Sequence, residues 1–446
     1  MNRLTPINGL PPEILSRVLE HRDRDRDLVA ATHVCRYWRS ALVSSSSLWT
    51  CFRFQPNHDL DRTLTYLERS KSTPIDIDID LGPRSPQDFE VYKCLAPHIA
   101  RTRSFLISGP PEDVHTISLL FRNPAPSLQH LNLKVCTQDS PARLPDDFLG
   151  RHTPSLRSVG FSGICPTFES PFPLPNLTKF TLLLRDSAGP LRMSGLFRFL
   201  SSSPRLREVS INTSNKTLQD ITPDKVISLE SLEELEWHCF RWAGRILPYL
   251  RLPRLDWLDV ALRFQANKVE KLADFLPSDH RLAGATEMTY LSGPFEEHVE
   301  FDGEGPGAKL CMRYTEADPA PIDWFSNTPR ILFRHINDLA VGCHSNAVYF
   351  PIDAFENLDI LIVLESDELF IEALFHSLSP GAGIPCPSLR QIRYYTRGSL
   401  NSVTNLAQAR LQAGCRLELV RLSRSREDDE DRVSELREFV GEVLIE

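Results

Sequence analysis

The chain has 446 residues, 41% hydrophobic and 24% charged, enough for two compact domains or one extended array. With 50 Lys and Arg against 59 Asp and Glu, the formal net charge of -9 argues against nucleic acid or an anionic membrane as the main partner. The start MNRLTPINGLPP has no apolar h-region, no apolar run is long enough to span a bilayer, and ten cysteines scattered singly without a CxxC pair fit reduced thiols in the cytoplasm or nucleus.

The stretch from Ile7 to Phe52 is expected to be helical. Leu10, Pro11 and Pro12 open a helix where a missing N–H costs nothing, and Glu13 sits in the first turn, where its charge suits the helix dipole. Ile14, Leu15, Val18 and Leu19 then fall on one face. A polar run, His21 to Arg26, interrupts, and Asp27 is expected to cap a second helical segment whose apolar positions are Leu28, Ala31, Val34, Cys35, Trp38 and Leu42. Ser44 to Ser47 end it, before Leu48 and Trp49.

The ordered set Leu10-Pro11, Glu13-Ile14-Leu15, Val18-Leu19, Leu28, Val34-Cys35, Trp38, Leu42 and Leu48-Trp49 resembles an F-box. That resemblance implies docking to the Skp adaptor, and through it to a cullin, in a Skp–cullin–F-box ubiquitin ligase. The adaptor-binding residues it implies are Leu10, Pro11, Ile14, Leu15, Val18, Leu28, Val34, Cys35, Trp38 and Leu42. About forty residues with this much apolar surface are too few to hide it alone. A competing reading makes the stretch a helical cap with Trp38 turned inward.

Leu60 to Arg69 reads as a short linker helix, with Leu60, Leu64 and Leu67 at helical spacing. Ile75, Ile77, Ile79 and Leu81 alternate with Asp76, Asp78 and Asp80, a half-buried strand. Alternate aspartates on a strand form a flat row, which does not cage calcium. From Leu128 a phrase Leu-x-x-φ-x-φ recurs: Leu128-Leu131-Leu133, Leu156-Val159-Phe161, Leu177-Phe180-Leu182, Leu206-Val209-Ile211, Leu232-Leu235-Trp237, Leu255-Leu258-Val260, Leu358-Leu361-Val363 and Leu389-Ile392-Tyr394. The first six start 21 to 29 positions apart, the period of a leucine-rich repeat.

Between the phrases lie amphipathic stretches: Asp113 to Phe121, Ser194 to Leu200, Val269 to Leu276, Ser366 to Leu378 with Ser366 as cap, and Ser402 to Leu411. One strand–loop–helix unit cannot bury its own apolar face, so neighbours must stack. The pattern resembles leucine-rich-repeat domains, including divergent arrays that follow F-boxes in fungal proteins. The Asn or Cys of that family is matched at Cys136, whereas Ile164, Arg185, Ser214, Phe240 and Arg263 stand at the equivalent places. The phrase is absent from Arg263 to Ala354, where Met288 to Leu291, His298 to Phe301 and Leu310 to Tyr314 read as short strands. GEGPGAK is a turn and not a phosphate loop, because Lys309 is not adjacent to Gly307 and a strand follows. Val433, Leu436, Val440, Val443 and Leu444 read as one terminal capping helix.

The expected fold is therefore α/β: a three-helix F-box (1–52), a linker helix (53–73), an irregular leucine-rich-repeat-like αβ solenoid (74–423) and a capping helix (424–446). No GxSxG or HExxH sequence occurs, and the adjacent pairs His238-Cys239 and Cys343-His344 lack a second ligand pair, so no catalytic residue, cofactor or metal ligand is assigned. The expected role is a non-catalytic receptor that carries a target protein to the ligase; the alternative is a repeat scaffold outside any ligase. Candidate target contacts are residues expected to be exposed on or just after the strand phrases: Asn132, Lys134, Ser210, Asn212, Glu236, His238, Asp259 and Arg393.

Overall fold

The computed structural model describes residues 9–20, 25–54, 60–80, 86–110, 114–115, 118–119, 121–135, 148–164, 166, 174–184, 191–213, 218–219, 226–238, 246–262, 285–292, 296–303, 309–315, 333–343, 350–381, 383–396, 399–423 and 430–445. They belong to two compact units, Met1–Leu206 with Lys216–Gln219, and Arg207–Asn215 with Asp220–Glu446. Together they make a mixed α/β protein with a helical amino-terminal region. Among the described residues no helix is long and apolar enough to cross a membrane.

The first unit opens with α1 (Pro12–Glu20), α2 (Asp25–Thr32) and α3 (Arg36–Ser44). The amides of Ile14 and Leu15 both donate to the Pro11 carbonyl at 3.1 Å, so the prolines start the helix as expected. Asp27 does not cap: α2 already begins at Asp25. The expected second segment is also divided. His33 and Val34 turn back onto the Ala30 and Ala31 carbonyls at 3.0 and 3.2 Å, and Cys35 is extended. Apolar spacing runs unbroken through this turn because both helices carry apolar residues, so periodicity alone misses the break.

A 3-10 turn, Ser46–Trp49, then buries Trp49 completely. Its indole Nε1 donates to the Leu42 carbonyl at 2.9 Å, its ring meets Tyr66 edge to face at 4.9 Å, and the Arg69 guanidinium lies 4.3 Å above it. Tyr66 and Arg69 belong to α4 (Leu60–Ser70), which is thus packed onto the end of the F-box region and is more than a linker.

The sheet of this unit follows: β1 (Cys51–Phe54), β2 (Ile75–Asp80), β3 (Thr102–Gly109), β4 (His130–Val135), β5 (Ser158–Ser162) and β6 (Lys179–Leu184), each parallel to the one before. The expected boundary after residue 52 therefore falls inside a strand. In β2, Ile75, Ile77 and Ile79 are buried while the aspartates face out. Arg103 binds Asp76 at 3.0 Å and Ser108 donates to Asp80 at 2.8 Å across the β2–β3 pair, so two members of the row are held by neighbours. Asp78 lies between them with its pKa raised, chiefly by burial, against the pull of Arg53.

The second unit holds β7 (Glu208–Thr213), β8 (Glu234–His238), β9 (Trp257–Leu262), β10 (Ala285–Ser292), β11 (Glu296–Gly303), β12 (Lys309–Thr315), β13 (Asp338–Cys343), β14 (Ile360–Val363), β15 (Gln391–Tyr394), β16 (Leu419–Leu422) and β17 (Glu442–Ile445). Neighbours run β7-β8-β9-β12-β11-β10-β13-β14-β15-β16-β17. Only β11 is antiparallel to its neighbours, so one reversed strand lets β10 and β12 keep the direction of the rest.

Every phrase is a strand, and its leading leucine closes a tight turn before that strand. Leu128, Leu156, Leu177, Leu206, Leu232, Leu255, Leu358 and Leu389 each donate their amide to the residue three back, and each is buried. The same turn precedes β13, where Ile336 donates to Phe333 at 3.2 Å, so Ile336-Leu339-Val341 supplies a phrase in the stretch where none was expected. Leu417-Val420-Leu422 on β16 is another. The terminal stripe is not one helix. A helix, Glu430–Phe439, stops short of Gly441, and the chain then adds β17 to the sheet. A Cβ at Gly441 would stand 2.6 Å from the Glu418 carbonyl oxygen, so only glycine permits this approach.

Three further helices lie at the expected stretches: Met193–Ser201, Glu368–Leu378 and Asn401–Gln412. Ser366 is not the cap of the second. Its hydroxyl accepts from the Cys343 amide and donates to the Leu364 carbonyl, both at 2.9 Å, while Asp367 takes the N-cap position. Cys136, Cys239, His344, Val269 to Leu276 and the charged run 424–429 lie outside the described residues.

Candidate functional site

The F-box region divides its apolar residues between inside and outside. Leu15, Leu28 and Leu42 are interior, at 0%, 9% and 0% exposure, and together with Leu19, Ala31 and Ala41 they form the buried part of the three helices. Ile14, Val18 and Val34 are 43%, 45% and 57% exposed, and Val29 and Tyr37 are exposed with them. Leu10, Cys35 and Trp38 are half-buried, and Pro11 is exposed. The Tyr37 hydroxyl donates to the Leu10 carbonyl at 2.5 Å, which ties the proline entrance of α1 to α3. The result is a framework with leucines inside and an uncovered set of branched apolar side chains outside. Trp38, Val34 and Ile14 are not sealed beneath the strands, so the inward-facing cap is not what these helices form.

The candidate target contacts are divided between the two units. Asn132 and Lys134 are exposed on β4 of the first unit, where Asn132 leans over Gly160 of β5. The second unit gathers five of the others on adjacent strands. Register places Ser210 of β7, Glu236 of β8 and Asp259 of β9 in one row, with Asn212 and His238 paired in the next. Glu236 and His238 are two residues apart and share a face of their strand, because side chains alternate with period two.

The Ser210 hydroxyl donates to Glu236 Oε2 at 2.6 Å. His238 Nδ1 lies 3.4 Å from Glu236 Oε1, and His238 Nε2 lies 3.2 Å from Asp259 Oδ1. Of these five only Asn212 is exposed as the sequence suggested; Ser210 and Glu236 are half-buried, and His238 and Asp259 are buried, at 8% and 6% exposure. The cause is their setting in the middle of a sheet, where a neighbour on each side covers a side chain of this size.

Arg393 lies apart from this group on β15, half-buried, in register with Ile362 on one side and Arg421 on the other. Arg421 stands on the strand of Leu417-Val420-Leu422, a phrase outside the eight read from the sequence. The Arg393 charge opposes the raised pKa of Asp338, which is pushed up mainly by burial. Buried Arg410 was also missed: it donates to the Pro385 and Cys386 carbonyls at 3.1 Å, which pins the turn before β15.

Comparison with protein families matches residues 7–55 to the F-box-like model. No curated protein matches the chain. The amino-terminal helices and β1 thus lie in an F-box-like domain, which suggests a role in a Skp–cullin–F-box ubiquitin ligase.

Proposed function

We propose that the protein is the substrate-recognition subunit of a Skp–cullin–F-box ubiquitin ligase in the cytoplasm or nucleus. The observation that carries this reading is the uncovered apolar set Ile14, Val18 and Val34 on an F-box-like domain whose own interior is already filled by Leu15, Leu28 and Leu42. F-box domains typically bind a Skp adaptor within such ligases. In this reading Pro11, Ile14, Val18, Val34 and Trp38 touch the adaptor, and the interior leucines hold those residues in place. The parallel strands of each unit are turns of a leucine-rich-repeat-like solenoid of the kind found in fungal F-box proteins. Side chains on their open faces, Asn132, Lys134, Ser210, Asn212, Glu236 and Arg393 among them, contact the target protein.

Such a receptor needs no catalytic residue. It holds a target lysine near a charged conjugating enzyme and so turns a bimolecular encounter into a local one. Co-expression with the Skp adaptor and a cullin tests the assignment. Recovery of a stoichiometric ternary complex supports it, and a monodisperse chain that leaves the adaptor unbound overturns it in favour of a scaffold outside the ligase.

A further inference from the structure

Glu236, His238 and Asp259 bring together three groups of metal-ligating type. We infer that they form a binding site for a divalent transition-metal ion, with zinc as its best fit. One donor atom from each residue, an imidazole nitrogen and two carboxylate oxygens, lies within 4.8 Å of the other two. This mixed nitrogen and oxygen set suits zinc, which takes His and carboxylate donors at about 2.0–2.2 Å. Tetrahedral bonds of that length put neighbouring donors about 3.3 Å apart. His238 Nε2 and Asp259 Oδ1 are 3.2 Å apart.

An independent observation points the same way. His238 is 8% exposed and makes no hydrogen bond through Nε2, although that nitrogen is aimed at the Asp259 carboxylate. An ion between the two atoms satisfies the nitrogen lone pair, which no donor among the described residues reaches. Glu236 is the adjustable third donor. Its side chain is 43% exposed, and Ser210 holds Oε2 at 2.6 Å, which leaves Oε1 facing the histidine ring. The three donors leave a fourth position for water or for a group of a bound partner.

The arrangement escapes the usual sequence motifs. A Glu-x-His pair on one strand shares a face, and the third ligand comes from the next strand in register with the glutamate, 23 residues on.

The test uses the full chain after dialysis against a chelator. Titration calorimetry with Zn²⁺ is expected to show one saturable site that His238→Ala removes, and Co²⁺ substitution is expected to give visible ligand-field bands that the same variant loses. Glu236→Gln keeps the Ser210 contact possible and sits at the exposed side of the cluster, so it tests the site even if the His238 or Asp259 variants fail to fold. It is expected to weaken zinc by about 10- to 100-fold. Failure of the wild-type chain to bind Zn²⁺ saturably overturns the site and leaves a histidine lodged between two carboxylates. So does zinc binding of equal stoichiometry and affinity in folded His238→Ala, which would place the ion on the other histidines and cysteines.

Discussion

Replacing Ile14, Val18 and Val34 together by serine separates docking from folding. Complete burial of a branched apolar side chain is worth about 1.5–3 kcal/mol. Scaled by their exposures of 43%, 45% and 57%, the three residues retain about 0.6–1.3, 0.7–1.4 and 0.9–1.7 kcal/mol of burial for a partner to collect. Together this is about 2–4 kcal/mol, or a loss of about 30- to 700-fold in adaptor affinity. Because about half of each side chain is already buried in the free chain, the same scaling puts about 0.6–1.7 kcal/mol of folding stability at each site at risk, which the unfolding measurement separates from the loss of docking. Leu42→Ala is the opposite case: it opens a cavity in the helical interior and costs about 2–5 kcal/mol of stability. The assay is titration calorimetry of purified adaptor against each variant, with circular dichroism and urea unfolding alongside. A serine triple variant with native circular dichroism that binds the adaptor within about twofold of wild type would refute the reasoning, since Ile14, Val18 and Val34 are the most exposed large apolar side chains among the described residues of α1 to α3.

Trp49→Ala is expected to lower stability by about 3–5 kcal/mol, because it removes a fully buried indole, its hydrogen bond to Leu42 and its contacts with Tyr66 and Arg69; urea unfolding reads the loss. Asp78→Asn is expected to stabilise the protein at neutral pH. Burial raises the folded pKa of Asp78 above its ordinary value of 3.8, so the folded state binds the proton more tightly and loses stability as pH rises through that window. The asparagine variant should therefore show a flatter rise-and-fall of melting temperature above pH 3.8, and an unchanged pH profile would contradict the burial argument. Cys386, whose thiol is pushed up to about 12 by burial, should resist a thiol reagent in the native protein and react only on unfolding, as mass mapping of the labelled peptide can show.

Much of this fold is legible in the sequence because its strands repeat one local rule. A buried leucine, a turn of three residues and two inward side chains recur at all eight phrases from Leu128 to Tyr394, and each of these is a strand. The eight phrases are not all of the chain's copies. With isoleucine allowed at the first place the rule finds Ile336-Leu339-Val341, and Leu417-Val420-Leu422 satisfies it as written. The helix ends were less legible. Asp27 and Ser366 are good capping residues by type, yet α2 starts earlier and Ser366 is engaged by β13, a contact 23 residues away that no local pattern contains. The same holds for the His238 cluster. Its members are two residues apart on one strand and one register step apart across strands, and only strand pairing brings them together.

The F-box-like domain and the sheet are joined by shared residues and not by a tether. Trp49 is covered by α4, Phe52 lies on β1, and β1 supplies the parallel partner of β2 from Thr50 and Cys51 onward. A chain cut after residue 52 would expose one edge of β2 and uncover Tyr66, so its behaviour would mix loss of docking with loss of packing. Point changes at Ile14, Val18 and Val34 leave Trp49 and β1 intact. If the protein acts as the proposed receptor, they are for that reason the better means of capturing a target without delivering it to the ligase: a partner enriched by the serine triple variant and depleted with the wild type is expected to be held by the strand array, whose structure the substitutions do not touch.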